Sequence, residues 1–392
     1  MNKLQKDNPR LIEAICHLHQ SGQLLPDSYV VDLEQFRLNA AAVKKAADER
    51  GIRLYFMLKQ LGRNPVLARE LTDMGYEGAV VVDFKEAQVM MRHHIPISNV
   101  GHLVQTPEGL LEKVVAYGPE VVTVFTEEKA RSIDRAAKKT GKIQKILVRV
   151  FDDSDMIYSG QTAGISLGEL PDFLNRLREC TSIRPVGVTS FPCYLYQEEL
   201  GDIAPTPNLK TVLKGAEIMR TCGYEPEIIN TPSATCVRTL ELMSRLGGNC
   251  GEPGHGLTAT TPAHAVMDLP EKSCIAYVSE ISHNFDGKAY CYGGGHYRRS
   301  HLARALVGRE AGSLRQMQVT PPSLESIDYH FELPEPCAVG ETVIMAFRYQ
   351  IFVTRSDLVL LEGVSEGCPR IVGVYDSLGN EKLPSDRLGS VK

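Results

Sequence analysis

Strand-length apolar runs alternate with amphipathic stretches from residue 29 to about 262. Tyr29-Val30-Val31 is the first run. Asp32 then caps a stretch in which Leu33, Phe36, Ala40, Val43 and Ala47 share one face, and Gly51 ends it, as an amphipathic helix requires. Further runs at 54–58, 79–82, 100–104, 121–125, 146–150, 186–191 and 228–229 predict strands, and the short stretch Asn249-Cys250-Gly251 supplies an eighth. Between them, 85–94, 108–117, 127–139, 170–178 and 209–222 each carry one charged and one apolar face, which predicts helices. Such alternation predicts a parallel sheet covered by helices, and eight strands are the number that closes a (β/α)8 TIM-type barrel, here spanning 29–262.

The rhythm changes after Pro262. Runs at 275–281, 289–292, 343–354 and 358–361 are joined by turns with little helical spacing, so 263–384 reads as a C-terminal β domain. Within it, 343–353 reads as one strand of a small closed or half-closed barrel. Residues 1–28 are expected to pack with this domain. The tail 385–392 has few core-forming residues and is expected to fray.

Composition narrows the function classes. A formal charge of -5 over 392 residues, with no long basic run, gives no surface for nucleic acid or another polyanion, so a small-molecule partner is expected. The charged opening is followed by no signal-type apolar core, and no stretch reaches the roughly 20 apolar residues of a membrane helix. A cytoplasmic protein is therefore expected. Ten cysteines form no CxxC pair, which fits reduced thiols and no structural metal.

Five stretches fall at predicted strand ends. Lys59 closes the run 54–58, just before Asn64-Pro65, an N-cap followed by proline at the first helical position. An amine at a barrel mouth either solvates its head or points at a ligand, where it can form a Schiff base. Arg149 is a charge inside an otherwise apolar strand, costly if unpaired. Ser190-Phe191-Pro192 offers a flat ring. Asn230-Thr231-Pro232-Ser233-Ala234-Thr235 is a hydroxyl-rich turn before a helix, either an anion site or ordinary N-capping by Ser233. Gly251-Glu252-Pro253-Gly254-His255-Gly256 sets a carboxylate beside an imidazole among glycines, or is a plain tight turn.

A lysine, an arginine, a ring, a phosphate turn and a carboxylate at one barrel mouth are what pyridoxal 5'-phosphate requires. The chain resembles the fold-type III pyridoxal-phosphate enzymes of the alanine racemase and basic amino-acid decarboxylase superfamily, and within it the YhfX-type proteins. Residues 29–32 are similar to that superfamily's opening strand, 55–59 to its cofactor-lysine strand, and 251–254 to its glutamate-proline-glycine turn. The resemblance makes Lys59 the Schiff-base lysine and Arg149 a partner of the cofactor's phenolic oxygen. It assigns Ser233, Thr235 and Gly254 to the phosphate, Phe191 to a position over the ring, and Glu252 to the pyridine nitrogen.

A carboxylate at that nitrogen strengthens the ring as an electron sink. Alanine racemases carry arginine there, so Glu252 argues for the decarboxylase branch or for a racemase that tolerates a fuller carbanion. Residues 322–328 are similar to the decarboxylase stretch that reaches a partner subunit's site, which implies a homodimer. Leu324 replaces its cysteine, which argues the other way. A second proton carrier opposite Lys59 would come from His296, Tyr297 or His255. The expectation is a pyridoxal-phosphate-dependent, racemase-like enzyme at the α-carbon of an amino acid. The alternatives are a decarboxylase of the same fold and a non-catalytic pyridoxal-phosphate-binding protein; a metal-dependent barrel hydrolase would need clustered His and Asp at strand ends, which the strands do not supply.

Overall fold

The computed structural model describes residues 1–382; the tail 385–392, expected to fray, lies outside the described residues. Eight parallel strands form a closed ring: Arg53–Phe56, Gly78–Val80, Ile97–Val100, Val121–Val124, Gln144–Phe151, Ile183–Thr189, Ile228–Asn230 and Cys250–Gly251. The ring closes where Cys250 pairs with Arg53 and Gly251 with Leu54, so the weakest apolar run in the sequence is a true barrel strand. Strand alternation sorts the side chains. Tyr55 and Met57 join Val80, Val121, Leu147, Val186, Ile228 and Cys250 in a core inside the ring, while Leu54, Phe56 and Leu58 face the surrounding helices. Lys59 lies beyond the strand, in the turn Lys59–Leu61.

A second sheet is built around Ile275–Phe285 and Ser28–Asp32, with Asp357–Glu362, Arg370–Tyr375, Thr342–Met345, Arg304–Gly308 and Arg315–Gln318 extending it. Helices Asn2–Asp7 and Pro9–Gln20 cover one face, setting Leu11, Ile15 and Leu18 against Val30, Val278, Ile344 and Val359. Two expectations are corrected here. The strand at 28–32, placed in the barrel region by the boundary at 29, pairs antiparallel with Ile275–Phe285 and parallel with Asp357–Glu362. A run buried on both faces suits the centre of either sheet, so its apolar pattern could not choose between them. The run 343–353 is not one strand: it ends at Met345, and the chain leaves the sheet before a short 3-10 turn, Ile351–Val353. Among the described residues no helix is long and apolar enough to cross a membrane.

Candidate active site

The strand Arg53–Phe56 hands over to a helix through a tight turn that fixes Lys59. The turn Lys59–Leu61 ends at Gly62, with φ of 59°, and the Asn64 side chain accepts from the amides of Val66 and Leu67 to start the helix Pro65–Asp73. Such a cap is worth about 1 kcal/mol. The amide of Met57 donates to the carbonyl of Pro253 at 2.9 Å, tying the lysine strand to the Glu252-Pro253-Gly254 turn. Lys59 and Glu252 therefore face one cavity of about 630 Å³ at the barrel mouth, also lined by Phe191, Ser233, Thr235, Gly254, His255 and Tyr297.

The Lys59 ammonium has no hydrogen bond or ion pair among the described residues. Burial lowers its pKa, the charges of Glu86 and Glu252 oppose that shift, and Arg348 adds to it. Glu252 is buried at the base, where its Oε1 accepts from Asn230 Nδ2 at 2.8 Å and its amide donates to Thr235 Oγ1 at 3.1 Å. Burial pushes this carboxyl up to about 7, against the pull of the Asn230 hydrogen bond and Lys59. It is thus poised to carry or release a proton near neutrality.

The turn after Ile228–Asn230 supplies donors. Ser233 and Ala234 both have positive φ, 101° and 50°, and among the described residues the amides of Ser233, Ala234 and Thr235 have no hydrogen-bond partner. Consecutive free amides in this conformation form a concave anion receptor. Gly254 lets the Gln60 amide pack against the turn: a Cβ there would lie 2.7 Å from Gln60 Nε2.

The remaining expected residues divide. Arg149 is buried but does not line the cavity; its guanidinium donates to the carbonyls of Gln161 at 2.9 Å and His102 at 3.4 Å and lies over the Phe125 ring. His102 and Gln161 stand between it and the open space. His255 lines the cavity with both ring nitrogens engaged, Nδ1 with Thr260 Oγ1 at 2.8 Å and Nε2 with Gln350 Nε2 at 3.3 Å, and burial holds its pKa well below the usual value. His296 is not among the lining residues; its amide donates to Asp328 and its ring packs edge-on to Phe331. Of the three proton-carrier candidates, Tyr297 faces the cavity with its hydroxyl unengaged among the described residues.

Three residues escaped sequence reasoning. His102, just beyond the strand Ile97–Val100, is buried with neither ring nitrogen hydrogen-bonded, is held down to about 3 by burial and by Arg149, and sets its ring at right angles to Phe191. Glu86, on the helix Phe84–Arg92, is fully buried and raised to about 7, with Oε2 accepting from the Val82 amide and Oε1 unpartnered. Its signal was Asp83 three residues earlier, a helix-start pair. Arg348 lines the cavity from the segment that leaves the second sheet; its signal was a lone charge in an apolar run.

Comparison with known proteins identifies the fold and the family. Residues 31–262 match the family "Alanine racemase, N-terminal domain" and residues 276–371 match "YhfX-like, C-terminal domain". The chain is 44% identical over 378 residues to the "Uncharacterized protein YhfX" of Escherichia coli K12, covering 96% of this chain and 98% of that one. Solved structures of the same fold include a D-threonine aldolase from Filomicrobium marinum (TM-score 0.65, 15% identity, 90% of this chain and 94% of that one). Another is an alanine racemase from Clostridium difficile 630 in complex with cycloserine (TM-score 0.64, 16% identity, 89% and 98%). A third is a D-threo-3-hydroxyaspartate dehydratase from Delftia sp. HT23 (TM-score 0.64, 15% identity, 88% and 95%). With more than half its length matched by the first family and nearly all of it by the YhfX relative, the chain belongs to the alanine racemase N-terminal-domain family, in a form that carries a YhfX-like C-terminal domain.

Proposed function

We propose that this chain is a pyridoxal-phosphate-dependent enzyme acting at the α-carbon of an amino acid, removing and returning a proton in the manner of a racemase. The observation that carries the reading is Lys59, an amine without a partner, inside a cavity that also holds a buried carboxyl poised near neutrality and three consecutive free amides. The His102 ring, without a hydrogen bond and with Nε2 3.8 Å from Glu252 Oε2, and the unpartnered Gln60 Oε1 fit a polar group absent from the protein itself. Pyridoxal phosphate would supply an electron sink for charge released at the α-carbon.

The chain's own residues then have distinct work. Lys59, with its pKa lowered by burial, holds the cofactor covalently and takes a proton from one face. The amides of 233–235, with the Ser233 and Thr235 side chains and the Gly254 backbone, would cradle the phosphate. Glu252 keeps a proton or a negative charge at the base, fixed by Asn230, where the ring nitrogen would lie. Phe191 and His102 wall the ring. Arg149 orients that wall through the His102 and Gln161 carbonyls and, lying outside the cavity lining, would not hold the phenolic oxygen directly as expected. Tyr297 is the carrier for the opposite face.

Decarboxylation remains the second reading, because two of the three carriers are compromised: His255 is tied at both nitrogens and His296 lies outside the cavity lining. That reaction needs one proton donor where racemisation needs one base per face. A second copy of the chain completes the proposal. Residues 322–328 expose Leu324, Ile327 is exposed beside it, and Tyr329 extends the patch, as a two-fold contact would use.

Borohydride reduction of the purified protein loaded with pyridoxal phosphate should fix the label on Lys59, and Lys59→Ala should lower α-hydrogen exchange in deuterated water by about 10³-fold or more while the protein folds normally. Label on another lysine would sink the assignment. Carbon dioxide release in place of exchange would select the decarboxylase, and full turnover by a sedimenting monomer would remove the dimer.

A further inference from the structure

The cavity wall contributed by the second domain has a charge that the proposed chemistry does not use. Among the residues lining the cavity, Lys59, Arg299 and Arg348 are cationic and Glu252 is the single carboxylate. Lys59 and Glu252 belong to the cofactor. Arg299 lies over the Tyr158 ring, 5.0 Å from its centre, and its guanidinium has no carboxylate partner among the described residues. Arg348 is half-buried; its amide is fixed to the Ser300 carbonyl at 3.0 Å, but its side chain donates to nothing described and its Nε is sequestered without an acceptor.

Arg355, Arg315 and Arg370 of this domain are matched to Asp328, Glu341 and Glu362, and Arg309 donates to the Val339 carbonyl, whereas Arg298, Arg299 and Arg304 are exposed to solvent, so Arg348 is the one left half-buried without a partner among the described residues. A guanidinium left half-buried and open is unfavourable unless something completes it, and its planar fork suits a carboxylate or phosphate bidentately. An amino acid's α-carboxylate can occupy one guanidinium. Two stand here, with the Tyr297 hydroxyl and the unpartnered Gln350 Oε1 beside them as further polar contacts.

We infer that Arg348, supported by Arg299, is a receptor for an oxyanion on the substrate's side chain, so that the substrate is an acidic amino acid. The inference rests on the reading of the cavity as an amino-acid site. Burial lowers the pKa of Arg348, and neighbouring Arg299 lowers it further; a bound oxyanion would relieve both.

The test is calorimetric titration of the pyridoxal-phosphate-loaded protein with both enantiomers of glutamate and aspartate against their near-isosteric neutral counterparts glutamine and asparagine, and of O-phosphoserine against serine, which lacks the phosphate. The acidic member of each pair should bind about tenfold or more tighter, the worth of a charged hydrogen bond. Arg348→Met should erase that preference and leave pyridoxal-phosphate affinity within about threefold, and Arg299→Met should weaken it partially. The phosphoserine pair separates a phosphate ligand from a carboxylate one. Equal affinities within the wild-type pairs would overturn the proposal, as would an Arg348→Met protein that loses the cofactor, which would make Arg348 a phosphate ligand of the cofactor. Should Arg348→Met not fold, an undiminished preference in Arg299→Met and Arg348→Lys together would count against it. Parallel α-hydrogen exchange keeps the two readings apart: acidic preference without exchange retains the receptor and removes the α-carbon chemistry, and exchange without preference does the reverse.

Discussion

The two walls of the cavity are built differently. On the barrel wall the carboxyl and the turn that carries it are positioned by neighbours, Asn230 holding Glu252, Thr235 receiving the Glu252 amide and the Pro253 carbonyl receiving the Met57 amide, while Lys59 and the amides of 233–235 stay open. On the wall from the second domain, Arg348, Arg299 and Tyr297 have no such partners among the described residues. Groups that must meet the same ligand on every turnover gain from being fixed beforehand. Groups that select what enters need free donors facing outward. On the proposed reading the fixed carboxyl serves the chemistry and the open arginines serve choice, with Tyr297 the proton carrier that the second wall would add.

The comparison can be broken first at Glu86, a buried carboxyl outside the cavity lining whose charge acts on Lys59. Burial raises it from its ordinary 4.5 to about 7, so between those values the folded protein binds the extra proton and stability falls as pH rises. Glu86→Gln removes that slope. The cofactor-free variant should therefore match wild type below pH 4.5 and exceed it by about 3 kcal/mol above pH 7.5, read from urea midpoints across pH. Parallel curves at all pH values would show that this carboxyl is not held against an ionisation cost.

Glu252→Gln tests the barrel wall by rate. Cofactor should stay bound, and α-hydrogen exchange should fall roughly 10²-fold, because the amide cannot carry the proton or charge. Exchange at the wild-type rate would place the carboxyl away from the ring nitrogen. The smallest expected effect is on the other wall: Tyr297→Phe should slow exchange from one enantiomer by about tenfold and spare the other, while His296→Phe changes neither. Symmetrical loss in Tyr297→Phe would remove the two-base reading.

Much of the barrel was legible because its physics is local. Asn64-Pro65 announces a helix start and is one, and the end of the apolar run 54–58 puts Lys59 at the barrel mouth, where the turn Lys59–Leu61 sets it in the cavity. What was hidden depended on contacts distant in sequence. Tyr29-Val30-Val31 is apolar on both faces whichever sheet it joins, so only the pairing with 275–278 and 357–360 decides. The run 343–353 has strand composition, yet its second half leaves the sheet, and the sole hint was Arg348 among apolar neighbours. Arg149 looked like a ligand because a charge in a strand demands a partner; two carbonyls supply it, which residue type alone does not reveal. His102 carries no motif, and only the folded ring brings it to Phe191.

Closure of the ring by Cys250–Gly251 against Arg53–Phe56 has a kinetic meaning. The lysine enters the ring on its first strand and Glu252 follows its last, so the two halves of the site meet only when nearly the whole intervening chain is already in place. Contacts of such long sequence separation form late and slowly, since the chain must be ordered before they repay it. Capture of the proposed cofactor would then work as a completion signal: an unfinished barrel has the amine without the carboxyl, and a time course of refolding with pyridoxal phosphate should show the visible band lagging behind the recovery of helix.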